Sequence, residues 1–206
     1  MKQKVFTLPK LVFVTHNPLK DSQKVLDVFE QALDGGVDAI LLREPELVSS
    51  KLLALASQLR VLTQKYHAKL MIHSHADVAQ AVAADGVHVR ASDMHEIRAM
   101  KAWLQDDMLF SASCHDLSEL AEAKKQGADY AFLSPVFATE SHLDVKGMGI
   151  QAFKEIAGKS PLPVIALGGV DEDNRTLLAG FSVATIRALL LANEPFKAAQ
   201  ALRKSE

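Results

Sequence analysis

The sequence predicts a single (β/α)8 barrel. Three observations carry that expectation. Short apolar runs alternate with longer amphipathic segments eight times along the chain. The apolar runs show no polar alternation, as parallel strands covered on both faces require. The chain has 206 residues, close to the roughly 200 needed to close such a barrel. Strands that alternate with helices pair in parallel through right-handed crossovers. The alternative is an open doubly wound sheet. It would place a glycine-rich fingerprint after the first strand, where this chain has His16-Asn17-Pro18-Leu19.

The elements follow in order. Lys10–Thr15 reads as the first strand, and Asp21–Leu33 as its helix, stopped by Gly35 and Gly36. Ala39–Leu42 is the second strand and Ser49–Tyr66 its helix. The third pair is Leu70–His73 and Asp77–Ala84, and the fourth is Gly86–Val89 and His95–Trp103. Leu109–Ala112 and Leu117–Gln126 make the fifth, closed by Gly127. In the sixth, Tyr130–Leu133 is followed by a loop and then Ile150–Ala157. The last two pairs are Pro163–Leu167 with Glu172–Leu178, and Val183–Ile186 with Leu189–Lys204. No linker, low-complexity tract or second domain interrupts the pattern.

Composition excludes several function classes. Apolar residues make up 49 %, charged residues 23 %, and the net charge is −2, values of an ordinary globular protein. No basic block or basic-aromatic stripe points to nucleic acid. No run approaches the roughly 20 apolar residues of a membrane span. Met1–Val12 carries no long apolar stretch, so no secretory leader is expected. The lone cysteine, Cys114, excludes an intrachain disulfide framework and fits a reducing compartment. The expected location is the cytoplasm. The expected partner is a small phosphorylated molecule, with a homo-oligomer left open.

In such barrels the chemistry sits on the loops after the strands. Those ends are polar here. They carry His16, Arg43-Glu44, His73-Ser74-His75, Asp93, Ser113-Cys114-His115, Thr139, Ser141, His142, Gly168-Gly169 and Arg187. The strongest signal is Gly168-Gly169 at the end of a buried strand, where bare backbone N–H groups can meet an anion. Barrels often bind phosphate there. A tight turn before the next helix explains the glycines equally well, but Arg187 at the end of the eighth strand adds a phosphate-clamping fork.

Other ends are ambiguous. Arg43 must hold a ligand anion or pair with a neighbour such as Glu44. His73 and His75, two apart, would share one side of an extended strand, and with Asp93 they would suggest metal. Two ordinary polar residues at a barrel mouth is the stronger reading. His115 is a candidate proton shuttle. Asp116 and Glu119 form a capping-box-like pattern, and Cys114 is expected to pack or line the site.

Together these residues resemble the thiamine phosphate synthase/TenI superfamily. Leu42-Arg43-Glu44 resembles its "LRE" after strand 2. Gly86-Val87-His88-Val89 followed by Asp93 resembles "DGVHLGQxD". Gly127–Tyr130 running into Ser134–Thr139 resembles "GADYvgvGPvFpT", and Pro163–Val170 resembles "PVvAIGGI". Order and spacing match over most of the chain. The resemblance implies a thiamine-biosynthesis barrel acting on a thiazole phosphate.

Its two branches imply different chemistry. Synthases couple an aminopyrimidine diphosphate to thiazole phosphate with Mg2+ held by aspartates. Some TenI-like proteins are tautomerases that move a proton to aromatise the thiazole phosphate carboxylate. The chain departs from the synthase pattern in several places. His73-Ser74 replaces "ND", Pro45 replaces a lysine, Ser141 and His142 replace a threonine and a lysine, and Arg187 aligns with a phosphate-holding serine. Ser113-Cys114-His115-Asp116 is similar to the tautomerase "SVHS".

The expected function is therefore a TenI-like thiazole tautomerase, an isomerase with no cofactor. His115 would be catalytic, and Arg43, His73, Thr139, Ser141, Gly168, Gly169 and Arg187 would hold substrate. The alternatives are a thiamine phosphate synthase, a transferase using Mg2+ on Asp93, and a silent barrel that only binds a phosphorylated ligand.

Overall fold

The computed structural model describes residues 6–16, 22–104, 108–139 and 146–204. Its strands are β1 Leu11–Val14, β2 Ala39–Leu42, β3 Lys69–His73, β4 Gly86–Val89, β5 Leu109–Cys114, β6 Tyr130–Leu133, β7 Val164–Ala166 and β8 Ser182–Thr185. The helices are α1 Ser22–Asp34, α2 Ser49–Lys65, α3 Ala76–Ala81, α4 Ile97–Leu104, α5 Leu117–Gln126, α6 Ile150–Lys159, α7 Arg187–Leu190 and α8 Pro195–Arg203. The strands close into one parallel barrel in chain order. The seam pairs β8 with β1, Leu11 against Val183 and Phe13 against Thr185. The expected (β/α)8 barrel is the observed fold.

Strand parity divides the core in two. Val12, Val14, Ala39, Leu41, Met71, Leu109, Tyr130, Phe132, Ile165 and Ala184 pack together inside the barrel. The alternate residues face the helices, as where Phe13 meets Phe29 of α1 edge-on at 5.0 Å. Both faces of each strand are thus buried, which is why the strands read as unbroken apolar runs. No helix among the described residues is long and apolar enough to cross a membrane.

The helical expectations need correction in the last quarter. Glu172–Leu178 is not an α-helix, and only a 3-10 turn at Arg175–Leu178 forms. Asp171 and Asn174 bond reciprocally through side chain and backbone, Asp171 N–H to Asn174 Oδ1 at 3.2 Å and Asn174 N–H to Asp171 Oδ1 at 3.0 Å. These reciprocal bonds cap the turn as a capping box does, but Ala179 leaves helical geometry at ψ 136° and Gly180 follows at φ 82°, so it runs no further than Leu178. Leu189–Lys204 is not one helix but α7 and α8. Pro195 forces the preceding Glu194 out of helical geometry and starts α8 at its first turn. The strand expected at Val183–Ile186 lies one residue earlier, so Arg187 begins α7 and does not end β8.

Two earlier segments also shift. A 3-10 turn at Ala91–Glu96 precedes α4, so the helix expected from His95 starts at Ile97. Helix α3 stops at Ala81, short of the expected Ala84, because Ala83 turns left-handed at φ 49°.

Candidate active site

A glycine turn borders a cavity where β7 and β8 end. Gly168 and Gly169 have φ of 101° and 65°. The loop after β6 packs tightly on them, with Val136 N–H donating to Leu167 O at 2.9 Å and Phe137 N–H to Gly168 O at 3.0 Å. A Cβ on Gly168 would lie 2.7 Å from Pro135 Cα, and one on Gly169 would lie 2.4 Å from Ala138 O. Only glycine fits either place. The loop carbonyls are taken from behind: Asn174 Nδ2 donates to Gly169 O at 2.7 Å, and Thr185 Oγ1 to Val170 O at 2.8 Å. Backbone N–H groups are then what the loop offers a ligand.

This loop borders a cavity of about 350 Å³ lined by Ala138, Thr139, Leu167 to Asp171 and Ala184 to Ala188. Of the residues expected to hold substrate, Thr139, Gly168, Gly169 and Arg187 therefore meet in one place. Ser141 lies outside the described residues, as does His142. Replacing Arg187 with alanine is expected to weaken binding of a phosphate monoester by about 1.5–3 kcal/mol, the worth of hydrogen bonds to a charged group. Calorimetric titration checks this, with unchanged melting as the control for folding.

The opposite half of the mouth is cationic and imidazole-rich. Arg43 follows β2 and is half-buried. Its N–H donates to Thr15 Oγ1 at 2.9 Å, and its Nη1 lies 3.3 Å from His16 Nδ1. His73 ends β3 opposite His88 of β4, ring centres 5.8 Å apart. Burial, reinforced by the charges of Arg43 and Arg90, pushes His73 down to about 4, so it is a neutral donor–acceptor at pH 7. His75 does not share its side. Strand β3 stops at His73, Ser74 turns left-handed at φ 61°, and His75 caps α3 with an exposed ring.

Below the mouth lies a residue that sequence reasoning passed over as a motif letter. His88 is buried inside the barrel, with Nδ1 2.9 Å from Ser111 Oγ and Nε2 2.9 Å from Ser113 Oγ. Its edge meets Phe132 at 4.7 Å between ring centres. Burial drives its pKa well below the ordinary value, so the ring stays neutral. Ser111 stands beside the buried Tyr130, its partner across β5 and β6. The result is a rigid polar floor under any ring placed in the mouth. The signal was present: His88 stands two residues after Gly86, on the inward parity of β4.

His115 follows β5 at the rim. Its side chain is half-exposed, and Glu119 Oε2 accepts from its backbone N–H at 2.7 Å and lies 2.8 Å from Nδ1. Asp116 caps α5 through Glu119 N–H, so the expected box closes one residue early, on His115. Cys114 is buried, and burial plus the nearby Glu119 and Asp116 push its thiol up to about 12. It packs rather than reacts. Asp93 sits in the turn after β4, with Arg90 Nε donating to Oδ2 and Ser92 Oγ to Oδ1, each at 2.7 Å. Among the described residues no three His, Cys, Asp or Glu side chains gather as metal ligands.

Known proteins are similar to this chain over most of its length. A thiamine-phosphate synthase of Methanococcus maripaludis is 34 % identical over 194 residues, 93 % of this chain and 92 % of that protein. A protein of Aquifex aeolicus named putative thiamine-phosphate synthase 2 is 36 % identical over 163 residues, 79 % of this chain and 86 % of its own. The solved thiamine phosphate pyrophosphorylase of Pyrococcus furiosus superposes with a TM-score of 0.84 at 33 % identity, covering 95 % of this chain and 94 % of that one. A family model described as thiamine monophosphate synthase matches residues 11–189, from the first strand through the glycine turn after β7 into α7. With fold and sequence in agreement over nearly the whole chain, this protein belongs to the TMP-TENI, or thiamine monophosphate synthase, family.

Proposed function

We propose that this chain is a transferase of thiamine biosynthesis, joining an aminopyrimidine diphosphate to a thiazole phosphate with release of diphosphate. This differs from the isomerase that the sequence alone favoured. The observation that carries it is the division of the mouth. A glycine cradle with Arg187 ends β7 and β8, while Arg43, His73 and Arg90 cluster across the barrel at β2 to β4. Two anion-handling halves suit two phosphorylated substrates better than one. The neutral floor of His88, Ser111 and Ser113 lies under the space between them. Relatives at 34 % identity that bear the synthase name support the same reading.

The test is direct. Incubation with both substrates should yield thiamine phosphate and one equivalent of diphosphate. Recovery of both substrates unchanged sinks the proposal.

The tautomerase keeps one specific observation in its favour. Glu119 holds His115 through Nδ1 and thereby aims Nε2 away as a base. Replacing His115 with asparagine separates the two. Under the synthase reading, coupling changes by less than about threefold, because a rim side chain outside the cradle and floor carries no proton in the reaction. A drop of roughly 10²–10⁴-fold in turnover, the size of a general acid–base contribution, would make His115 the proton carrier.

A further inference from the structure

We propose that this chain holds a diphosphate at the mouth of β2 to β4 with the guanidinium groups of Arg43 and Arg90, and that no divalent cation takes part. The inference rests on the synthase reading only for the origin of the diphosphate.

The residues present do not fit Mg2+. That ion needs octahedral oxygen ligands, among them one or two carboxylates. The remaining carboxylate of the synthase pattern, Asp93, is already bound at both oxygens, by Arg90 Nε and Ser92 Oγ at 2.7 Å each. Arg90 replaces the glycine of that pattern, so the competing cation is built into the chain. The second aspartate of the pattern is Ser74, whose left-handed turn brings its Oγ to 3.2 Å from His73 Nδ1. A divalent ion here would also face two permanent positive charges.

What repels the ion suits the anion. Arg43 follows Leu42, which pairs with Ile72, and Arg90 stands two residues past His88, which pairs with His73, so the two arginines flank the end of β3 from either side at the mouth. The bond to Asp93 uses Arg90 Nε and orients the guanidinium; among the described residues its Nη atoms make no hydrogen bond. Arg43 is oriented from the other side by His16. Two planar forks can grip adjacent phosphoryl groups bidentately and never lose their charge. His73 stays neutral there and adds one hydrogen bond without changing the charge count.

The experiment is calorimetric titration of the full chain with inorganic pyrophosphate, in EDTA and in excess Mg2+. Saturable binding is expected in EDTA, strengthened by Mg2+ less than about threefold. Arg43→Gln and Arg90→Gln should each weaken it by about 10- to 100-fold, the fold-change of a charged hydrogen bond. Circular-dichroism melting confirms that both variants fold. Binding that appears only with Mg2+ overturns the proposal, and so does wild-type binding in both arginine variants. Binding lost in Arg187→Ala but kept in the other two assigns pyrophosphate to the β7–β8 cradle and also overturns it. Failure of the synthase reading looks different: pyrophosphate binds without metal, yet no thiamine phosphate forms.

Discussion

Alanine at Gly169 is expected to reduce binding of thiazole phosphate by about 10²-fold, the penalty for displacing a positioning group by about an ångström. The new Cβ would stand 2.4 Å from Ala138 O and 2.8 Å from Phe137 Cβ. Backbone atoms on both sides make the clash hard to relieve by a rotamer change. The φ of 65° adds a left-handed penalty of roughly 1–2 kcal/mol for any residue with a Cβ. The loop must therefore swing off the Pro135–Ala138 segment, and its N–H groups lose their aim into the cavity. Titration of the variant with thiazole phosphate gives the answer, alongside a melting curve. Full affinity in a folded Gly169→Ala protein would show that the anion binds elsewhere.

Alanine at Arg175 is expected to cost about 3–5 kcal/mol of stability, since three hydrogen bonds from one charged group, each worth about 1.5–3 kcal/mol, are lost and only partly replaced by water. This guanidinium is 5 % exposed and spends all its reach on backbone. Nε donates to Leu202 O at 2.7 Å, Nη1 to Leu178 O at 2.9 Å and Nη2 to Phe181 O at 3.3 Å. It thereby ties the end of α8 to the turn before β8, where no α-helix forms to do so. Removing it takes one donor from each of the Leu202, Leu178 and Phe181 carbonyls. The melting temperature should fall by roughly 6–20 °C for a chain of this size. Lysine at the same position should recover less than half of the loss, since one compact ammonium cannot span three acceptors. Urea unfolding measures the difference, and an unchanged midpoint for Arg175→Ala would mean that water replaces the guanidinium without cost.

The strands were legible because burial on both faces leaves a plain apolar mark. The expected bounds of β2, β4 and β6 are those observed, Ala39–Leu42, Gly86–Val89 and Tyr130–Leu133. Helix α5 was legible at both ends, since Asp116 caps it and Gly127 stops it at φ 97°. Segments governed by side-chain bonds to backbone were not. In Glu172–Leu178, Arg175 bonds the carbonyls of Leu178, Phe181 and Leu202, contacts that periodicity does not register.

The site divides along the same line. Gly168, Gly169, Thr139 and Arg187 could be placed together because barrel closure fixes which strand ends are neighbours. His73 and His75 could not be separated by spacing, since only the left-handed Ser74 decides that one ring enters the mouth and the other leaves it. Arg90 drew no attention, because its meaning depends on reaching Asp93 three residues on within a 3-10 turn.

The sequence by itself determined the barrel, its strand order and the tight glycine turn after β7. All three follow from local signals, namely apolar runs, turn residues and paired glycines, that act over a few neighbours. The tertiary structure alone decided that His88 stands inside the barrel between Ser111 and Ser113, and that Arg43 and Arg90 flank the end of β3. The physical reason is closure. Parity along one strand gives two faces, and only pairing with both neighbours makes one of them the interior, where residues 15 to 25 positions apart become partners.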